Sequence, residues 1–482
     1  MKLEALLQDV DVTECRADLN LEISSVAYDS RKVTEGGLFA AISGFAADGN
    51  RFIPMAMEKG ARVVVTAQKP REAVPYVLVP SDRKALAQIA CNFYGRPADK
   101  MKIIGITGTN GKTSVTLLLK NVLETVLGAK VGLVGTMGNL IGSRPVASER
   151  TTPDSLELQE LFAQMYAAGC QYVVMEVSSH AIALDRIGGI HYTVAAFTNL
   201  TEDHLDFHKT MDAYCDTKAE LFARCDHAVI NADDPYAGRM MAGACCPVLT
   251  VAEHGDAMLK AERVELHATG VRFTVGNVDV QVPIPGRFTV YNALTVLGCA
   301  RELGISLEDC AASLRNAAGV KGRIEVVPTP GMPYTVLIDY AHTPDGLENV
   351  LSSVRDFCKG RLISVFGCGG DRDPIKRPIM GAIGVKKSDI AVITSDNPRT
   401  EEPMAIIRDI LAGVEPGMGE YTVIEDRRKA IRYALDIAEK DDIIVLAGKG
   451  HETYQDIGGH KNHLDEREEV RDALLELRNR HE

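Results

Sequence analysis

Residues 105–113, Gly105-Ile106-Thr107-Gly108-Thr109-Asn110-Gly111-Lys112-Thr113, constrain the fold more tightly than any other stretch of this 482-residue chain. A short β-branched run at 102–106 leads into them, and the spacing that follows predicts a helix from about Lys112. Val115, Leu118, Leu119, Val122, Leu123 and Val126 share one face of it, at the i, i+3, i+4, i+7 recurrence of a helix buried on one side. Gly128 is placed to be its C′ residue. Strand, glycine loop and amphipathic helix in that order make a phosphate loop. Glycines let backbone N–H groups approach phosphate oxygens, the helix N-terminus adds partial positive charge, and Lys112 reaches the β- and γ-phosphates. The Thr113 hydroxyl is placed to bind Mg2+. The general pattern has Gly five residues before Gly111, where this chain has Ile106; its glycines instead recur at three-residue steps.

The same habit recurs downstream. Apolar runs end in polar tips at 173–175 before Glu176, 194–197 before Asn199, and 336–338 before Asp339. Two more end at 362–366, before a glycine loop, and at 390–393, before Asp396. Strand, polar tip, helix is the signature of open parallel sheets, which bind ligands at the carboxyl ends of their strands. Turn-forming residues crowd 94–100 and 319–333, dividing the chain into segments 1–98, 99–325 and 326–482. The expected fold is α/β in three domains, with a central phosphate-loop domain on a parallel sheet and a Rossmann-like C-terminal domain.

Fifty-three Lys plus Arg against 66 Asp plus Glu leave a net charge of −13, which argues against a nucleic-acid binder that must neutralise many phosphates. An anionic ligand must therefore be held by local groups. No apolar run approaches the length of about 18 residues that crosses a bilayer. Residues 1–10 carry Glu4 and Asp9 and no hydrophobic core, so no signal peptide is expected there. The eleven cysteines are scattered without a C-x-x-C pair, as in a reduced, cytoplasmic protein, and adjacent Cys245 and Cys246 are expected to be buried thiols.

Glu176, at a strand tip in Glu176-Val177-Ser178-Ser179-His180, can reach a metal held by a neighbouring phosphate loop; a solvated strand-end carboxylate is the plainer alternative. His204, in Asn199-Leu200-Thr201-Glu202-Asp203-His204, is weaker evidence, since a lone histidine is usually structural.

Together the Gly108–Thr113 loop, the Glu176 strip and the Asn199…His204 strip resemble the Mur ligases, the ATP-dependent amino-acid-adding enzymes of peptidoglycan precursor synthesis. The resemblance continues through Tyr291-Asn292-Ala293, Gly322-Arg323 and Asp339-Tyr340-Ala341-His342-Thr343-Pro344, covering nearly the whole chain. It implies ATP as co-substrate, with Gly108, Thr109, Asn110, Gly111, Lys112, Thr113, Ser114, Asn292, Arg323 and Asp339 around it. It implies Mg2+ on Thr113, Glu176, His204 and a carbamylated Lys218, and a catalytic set of Lys112, Lys218, His204 and Glu176. Lys218 lies in a predicted helix, where a lone lysine is ordinarily a solvated charge; the modification requires a neutral amine and hence a depressed pKa.

Asp29-Ser30-Arg31, Gly36-Gly37-Leu38-Phe39 and Gly44 to Asp48-Gly49 are similar to the uridine-nucleotide-binding domain of the branch that adds the third stem-peptide residue. The UDP-muramoyl-dipeptide would then meet Tyr28, Ser30, Phe45, Ala46, Ala47, Thr151, Thr152, Ser178, Leu184 and Arg186. Thr151-Thr152-Pro153 before Asp154 could also be a simple helix start. Some members carry His-Gln where this chain has Phe45-Ala46, so backbone groups and an aromatic contact from Phe45 would replace side-chain hydrogen bonds to uracil. Asp396-Asn397-Pro398-Arg399 is similar to that branch's recognition motif for meso-diaminopimelate, with Arg372, Gly448 and Glu452 beside it. Arg offers a rigid fork for the carboxylate at the far end of diaminopimelate and would repel the bare ammonium of lysine. Glu452 would suit the ammonium. Read alone, Asp-Asn-Pro-Arg is a surface turn.

The activity implied is amide-bond formation through an acyl phosphate, by a protein that is a monomer, cytoplasmic, and free of nucleic acid and membrane insertion. Two alternatives stay open: a folylpolyglutamate-type ligase, which would lack the segment ahead of the phosphate loop, and a nucleotide-gated binding protein without turnover.

Overall fold

The computed structural model describes residues 1–44, 48–148 and 150–481. They fall into two compact units, Met1–Lys260 with Leu294–Cys310, and Ala261–Ala293 with Ala311–Glu482. The sequence divided the chain in three. The structure keeps separate sheets in the first and last of those segments, although its compact units are bounded elsewhere.

The first unit opens with a five-stranded sheet in the order Glu14–Cys15, Tyr76–Leu78, Val63–Thr66, Leu38–Ala41, Val26–Ala27, parallel except for the first pair. Successive side chains of a strand point to opposite faces. Leu38, Ala40, Val63 and Val65 accordingly enter one apolar cluster while Phe39, Ala41 and Val64 enter another. Covering both faces is what a continuous apolar run such as Val63-Val64-Val65 requires. The helix Asp82–Phe93, capped by the Ser81 hydroxyl, closes one face with Ala85, Leu86 and Ile89.

Next comes the larger sheet. Its central strand, Lys102–Thr107, lies between Tyr172–Glu176 and Tyr192–Phe197, parallel to both, so Glu176 pairs with Ile106 and Phe197 with Thr107. Three strand ends thus converge at one edge. The helix Lys112–Leu127 starts directly after the glycine loop, entered through Gly111 at φ 86° and left through Gly128 at φ 61°, the left-handed stop its position predicted. Val115, Leu118, Leu119, Val122 and Leu123 are buried, as the periodicity requires.

In the second unit a six-stranded sheet runs Glu325–Val327, Thr335–Asp339, Ile443–Ala447, Leu362–Phe366, Ile390–Ile393, Glu420–Val423, with only the first pair antiparallel. The carboxyl ends of its parallel strands open into the loops that hold Tyr340, Gly367 to Asp373, Asp396 to Arg399, and Gly448 to Glu452. The alternation of strand and helix fails at 131–146, where Val131–Val134, Asn139–Ile141 and Arg144–Val146 pair antiparallel, at the hairpin Tyr454–Ile457 with His460–His463, and in the stretch from Leu259. Leu259–His267, Gly270–Val275 and Val278–Val282 form an antiparallel meander. Gly276-Asn277, with Gly276 at φ 56°, is the two-residue hairpin turn that joins the last two of these strands.

Two expectations meet the structure differently. Cys245 is exposed and Cys246 half-buried, because they occupy a bend in the connection between the helix Ala237–Ala242 and the strand Val248–Ala252, outside either element; both are free thiols. Phe45, Ala46 and Ala47 lie outside the described residues.

Candidate functional site

The glycine loop returns on itself through backbone and side chains from the neighbouring strand end. The Asn199 carbonyl accepts from Thr109 N at 2.8 Å, and its side-chain oxygen accepts from Asn110 N at 3.0 Å. Gly108, at φ 145°, has room for no side chain: an added Cβ would fall 1.9 Å from the Thr198 hydroxyl. Lys112 Nζ donates to the carbonyls of Gly108 and Thr109, both at 2.8 Å.

Lys218, on the helix Met211–Ala219, is 1% exposed and its Nζ donates to the same Gly108 carbonyl at 3.0 Å. Burial, and then the charge of Lys112, holds its pKa well below the usual lysine value. The Tyr214 ring packs under this ammonium at 4.7 Å.

Thr113 and Glu176 meet: the threonine hydroxyl donates to Glu176 Oε1 at 2.9 Å. Glu176 also accepts from Thr136 N at 2.9 Å and from the Thr136 hydroxyl at 3.0 Å. From there the network runs into the residues expected to hold the dipeptide. The Thr136 hydroxyl lies 3.0 Å from that of Thr151, and Thr152 Oγ1 donates to the Glu176 carbonyl at 2.9 Å. Ser178 N donates to Thr152 Oγ1 at 3.2 Å, and Arg186 donates to the Thr152 carbonyl at 3.2 Å while pairing with Asp154 at 3.0 Å. Thr136 was missed in the sequence, although it stands one glycine past the apolar strand Val131–Val134 and obeys the same strand-tip rule as Glu176.

His204 stands apart from this set. Its ring lies 4.9 Å from that of His180 and 6.4 Å from that of Tyr214, with Nε2 3.4 Å from Asp203. Among the described residues it shares no hydrogen bond with Thr113, Glu176 or Lys218, and no three His, Cys, Asp or Glu side chains are grouped to hold a metal.

Tyr28, Ser30, Leu184 and Arg186 line one cavity of about 1240 Å³, which Pro153, Asp154 and Arg83 also border. Ser30 is held by a turn in which Asp29 accepts from Arg31 N at 2.9 Å; the Arg31 guanidinium holds the Asp29 carboxyl down to about 2. Tyr28 donates to Glu157 at 2.7 Å.

In the second unit the Asp396 to Arg399 turn is a hub. Arg399, at φ 51°, donates from Nη1 to the Gly370 carbonyl at 2.6 Å. An added Cβ on Gly369 would lie 2.9 Å from Arg399 Nη1 and 3.9 Å from Arg372 Cγ, so the two arginines flank one glycine. Asn397 donates to Glu452 Oε2 at 2.9 Å. Gly448, at φ 115°, lets Asp396 approach; a Cβ there would fall 2.4 Å from its carboxylate. The sequence passed over Lys449 and Arg427, both fully buried against these carboxylates. A lysine between two glycines at a strand tip was the signal for the first.

Asp339 accepts from Ile324 N and Ala341 N, both at 2.8 Å; burial raises its pKa, and nearby Arg323 opposes that rise. Asn292 lies in the helix Phe288–Glu302. Among the described residues, no helix is long and apolar enough to cross a membrane.

Family models match three stretches: the Mur ligase family catalytic domain at 22–94, the Mur ligase middle domain at 106–300, and the Mur ligase glutamate ligase domain at 322–450. The UDP-N-acetylmuramoyl-L-alanyl-D-glutamate–2,6-diaminopimelate ligase of Clostridium tetani is 47% identical over 489 residues, spanning 99% of this chain and 100% of the relative. An enzyme of that name from Clostridium acetobutylicum, numbered 1 there, is 49% identical over 485 residues, spanning 99% and 100%. A solved structure of a UDP-N-acetylmuramoyl-L-alanyl-D-glutamate–2,6-diaminopimelate ligase superposes with a TM-score of 0.79 at 30% identity, covering 99% of each chain.

Proposed function

This chain belongs to the Mur ligase family, and on that premise we propose that it joins 2,6-diaminopimelate to UDP-N-acetylmuramoyl-L-alanyl-D-glutamate at the expense of ATP. The observation that carries the reading is Glu176, whose carboxylate touches Thr113 of the phosphate loop on one side and Thr136 on the other, with the Thr151 hydroxyl bonded to that of Thr136 and the Thr152 hydroxyl to the Glu176 carbonyl. A phosphate donor and a peptide carboxylate held by those two sets are neighbours.

In this reading the side-chain carboxylate of the dipeptide's D-glutamate attacks the γ-phosphorus of ATP, and ADP leaves. The amine of diaminopimelate attacks the resulting acyl phosphate, and inorganic phosphate leaves. Both steps gather negative charge, so preorganised donors should supply much of the catalysis. Lys112 and the loop N–H groups orient the triphosphate, Arg186 and the threonines fix the acceptor, and Arg399 with Arg372 and Glu452 selects the amino acid. Thr113 and Glu176 offer hydroxyl and carboxylate oxygens, donors that suit a hard cation. Mg2+ bound there would neutralise phosphate charge. The low pKa of Lys218 favours the neutral amine that carbamylation needs. Arg323, Asp339 and Asn292 are ATP-contacting residues in this proposal, and the meso isomer is the substrate form. Eleven free thiols accord with a cytoplasmic protein, which we take to be a monomer.

Phosphate release tests the whole reading. It should require ATP, the UDP-muramoyl-dipeptide and diaminopimelate together, and lysine should not replace the last. Release with lysine alone would overturn the Arg399 assignment, and no release under any combination would leave a binding protein.

A further inference from the structure

Lys449 follows the strand Ile443–Ala447, between Gly448 at φ 115° and Gly450 at φ 55°. It is fully buried. A desolvated ammonium is costly unless acceptors surround it. Here Nζ lies 3.0 Å from Asn397 Oδ1, 3.3 Å from Glu452 Oε2 and 3.8 Å from Asp396 Oδ1.

This contact decides which way the Asn397 amide faces. Its oxygen accepts from Lys449 and, at 2.9 Å, from Asp456 N. Turned over, the amide would set its NH2 against an ammonium and a backbone N–H, since lysine has no acceptor. The nitrogen therefore points at Glu452 Oε2, at 2.9 Å. Two donors land on one carboxylate oxygen, and among the described residues no hydrogen bond reaches the other, Oε1. Three carboxylates, Asp396, Glu452 and Glu466, face two buried cations, Lys449 and Arg427, so the cluster keeps one negative charge beside Arg399.

We propose that Lys449 is a positioning residue for amino-acid selection: by pinning Glu452 Oε2 and the Asn397 amide, it presents Glu452 Oε1 to the distal ammonium of diaminopimelate while Arg399 takes the adjacent carboxylate. The inference rests on the ligase reading above. Lysine has no distal carboxylate and leaves Arg399 unpaired. Without Lys449 the cluster gains a negative charge and the amide is free to turn, so the site loses its preference for a zwitterion.

K449M should raise the KM for diaminopimelate about tenfold or more, the scale of losing one partner of a buried charged pair. The KM values for ATP and the UDP-muramoyl-dipeptide should stay within about twofold, a split that a general folding defect does not produce. The preference for diaminopimelate over lysine should fall, and diaminopimelate should no longer raise the melting temperature while the nucleotide substrate still does. An unchanged KM for diaminopimelate overturns the proposal. So does a parallel rise of all three KM values. K449Q is measured alongside; should neither variant fold, Lys449 is a core residue and the proposal fails. Wild-type enzyme that ignores diaminopimelate would sink the ligase reading instead, which keeps the two failures apart.

Discussion

The ammonium groups of Lys112 and Lys218 donate to one and the same oxygen, the carbonyl of Gly108, at 2.8 and 3.0 Å. Two cations on one acceptor repel, and Lys218 is fully buried, so burial and then the charge of Lys112 push it toward the neutral amine. A neutral amine in a nucleotide site can take up carbon dioxide and become an anion. K218A should abolish phosphate release, and high bicarbonate should not restore it. Wild-type protein in 13C-bicarbonate should show a carbamate carbon that K218A lacks. Activity of K218A near that of the wild type would refute the modification.

Thr113 and Glu176 make a second prediction. E176Q keeps the shape of the side chain and its contacts with Thr113 and Thr136 while dropping the charge. The Mg2+ concentration for half-maximal activity should rise about tenfold or more, because carboxylate charge sets affinity for a hard cation. Titration of Mg2+ at saturating ATP measures it. An unaltered Mg2+ requirement would remove Glu176 from the metal site.

What could be read in the sequence was what repeats locally. The helix after Lys112 announced itself through its apolar face, its stop through Gly128, and Glu176 and Asp396 through their places at strand ends. Partners fixed by tertiary approach were not legible. Thr136 reaches Glu176 across 40 residues, and Lys449 reaches Asn397 across 52. Nothing in local spacing reports such pairs. The meander at 259–282 went unread for another reason: its strands pair with their neighbours in sequence through short turns, and Gly276-Asn277 alone carried a local signal of it. Cys245 shows the limit of adjacency, since the chain turns there and exposes one of two neighbouring thiols.

Arg399 carries a third prediction. Its backbone sits at φ 51° and is held by a bond from its N–H to the Asp456 carbonyl at 3.0 Å, so the side chain leaves the turn in a fixed direction. R399A should raise the KM for diaminopimelate about a hundredfold, the order expected for losing a charged fork from a desolvated site. R399K should recover little, because an ammonium cannot engage both carboxylate oxygens as a planar fork does. Lysine should gain relative to diaminopimelate in R399A. Equal losses for the two amino acids would mean that Arg399 supports the loop and does not read the substrate.

His208 links the same region to stability. Its Nε2 lies 2.9 Å from the Ser179 hydroxyl, and burial, reinforced by His180, pushes its pKa from 6.5 down to about 4. The unfolded chain takes up a proton near pH 6.5, whereas the folded one resists until about pH 4. Between those values the unfolded state binds more protons, so stability rises with pH and is lost as pH falls through that window. Melting temperature should therefore drop between pH 6.5 and pH 5, above the range where most carboxylates titrate. H208Q has no ring to protonate and should flatten that part of the profile while leaving the acid limb below it. A profile for H208Q that parallels the wild type would assign the loss to other groups.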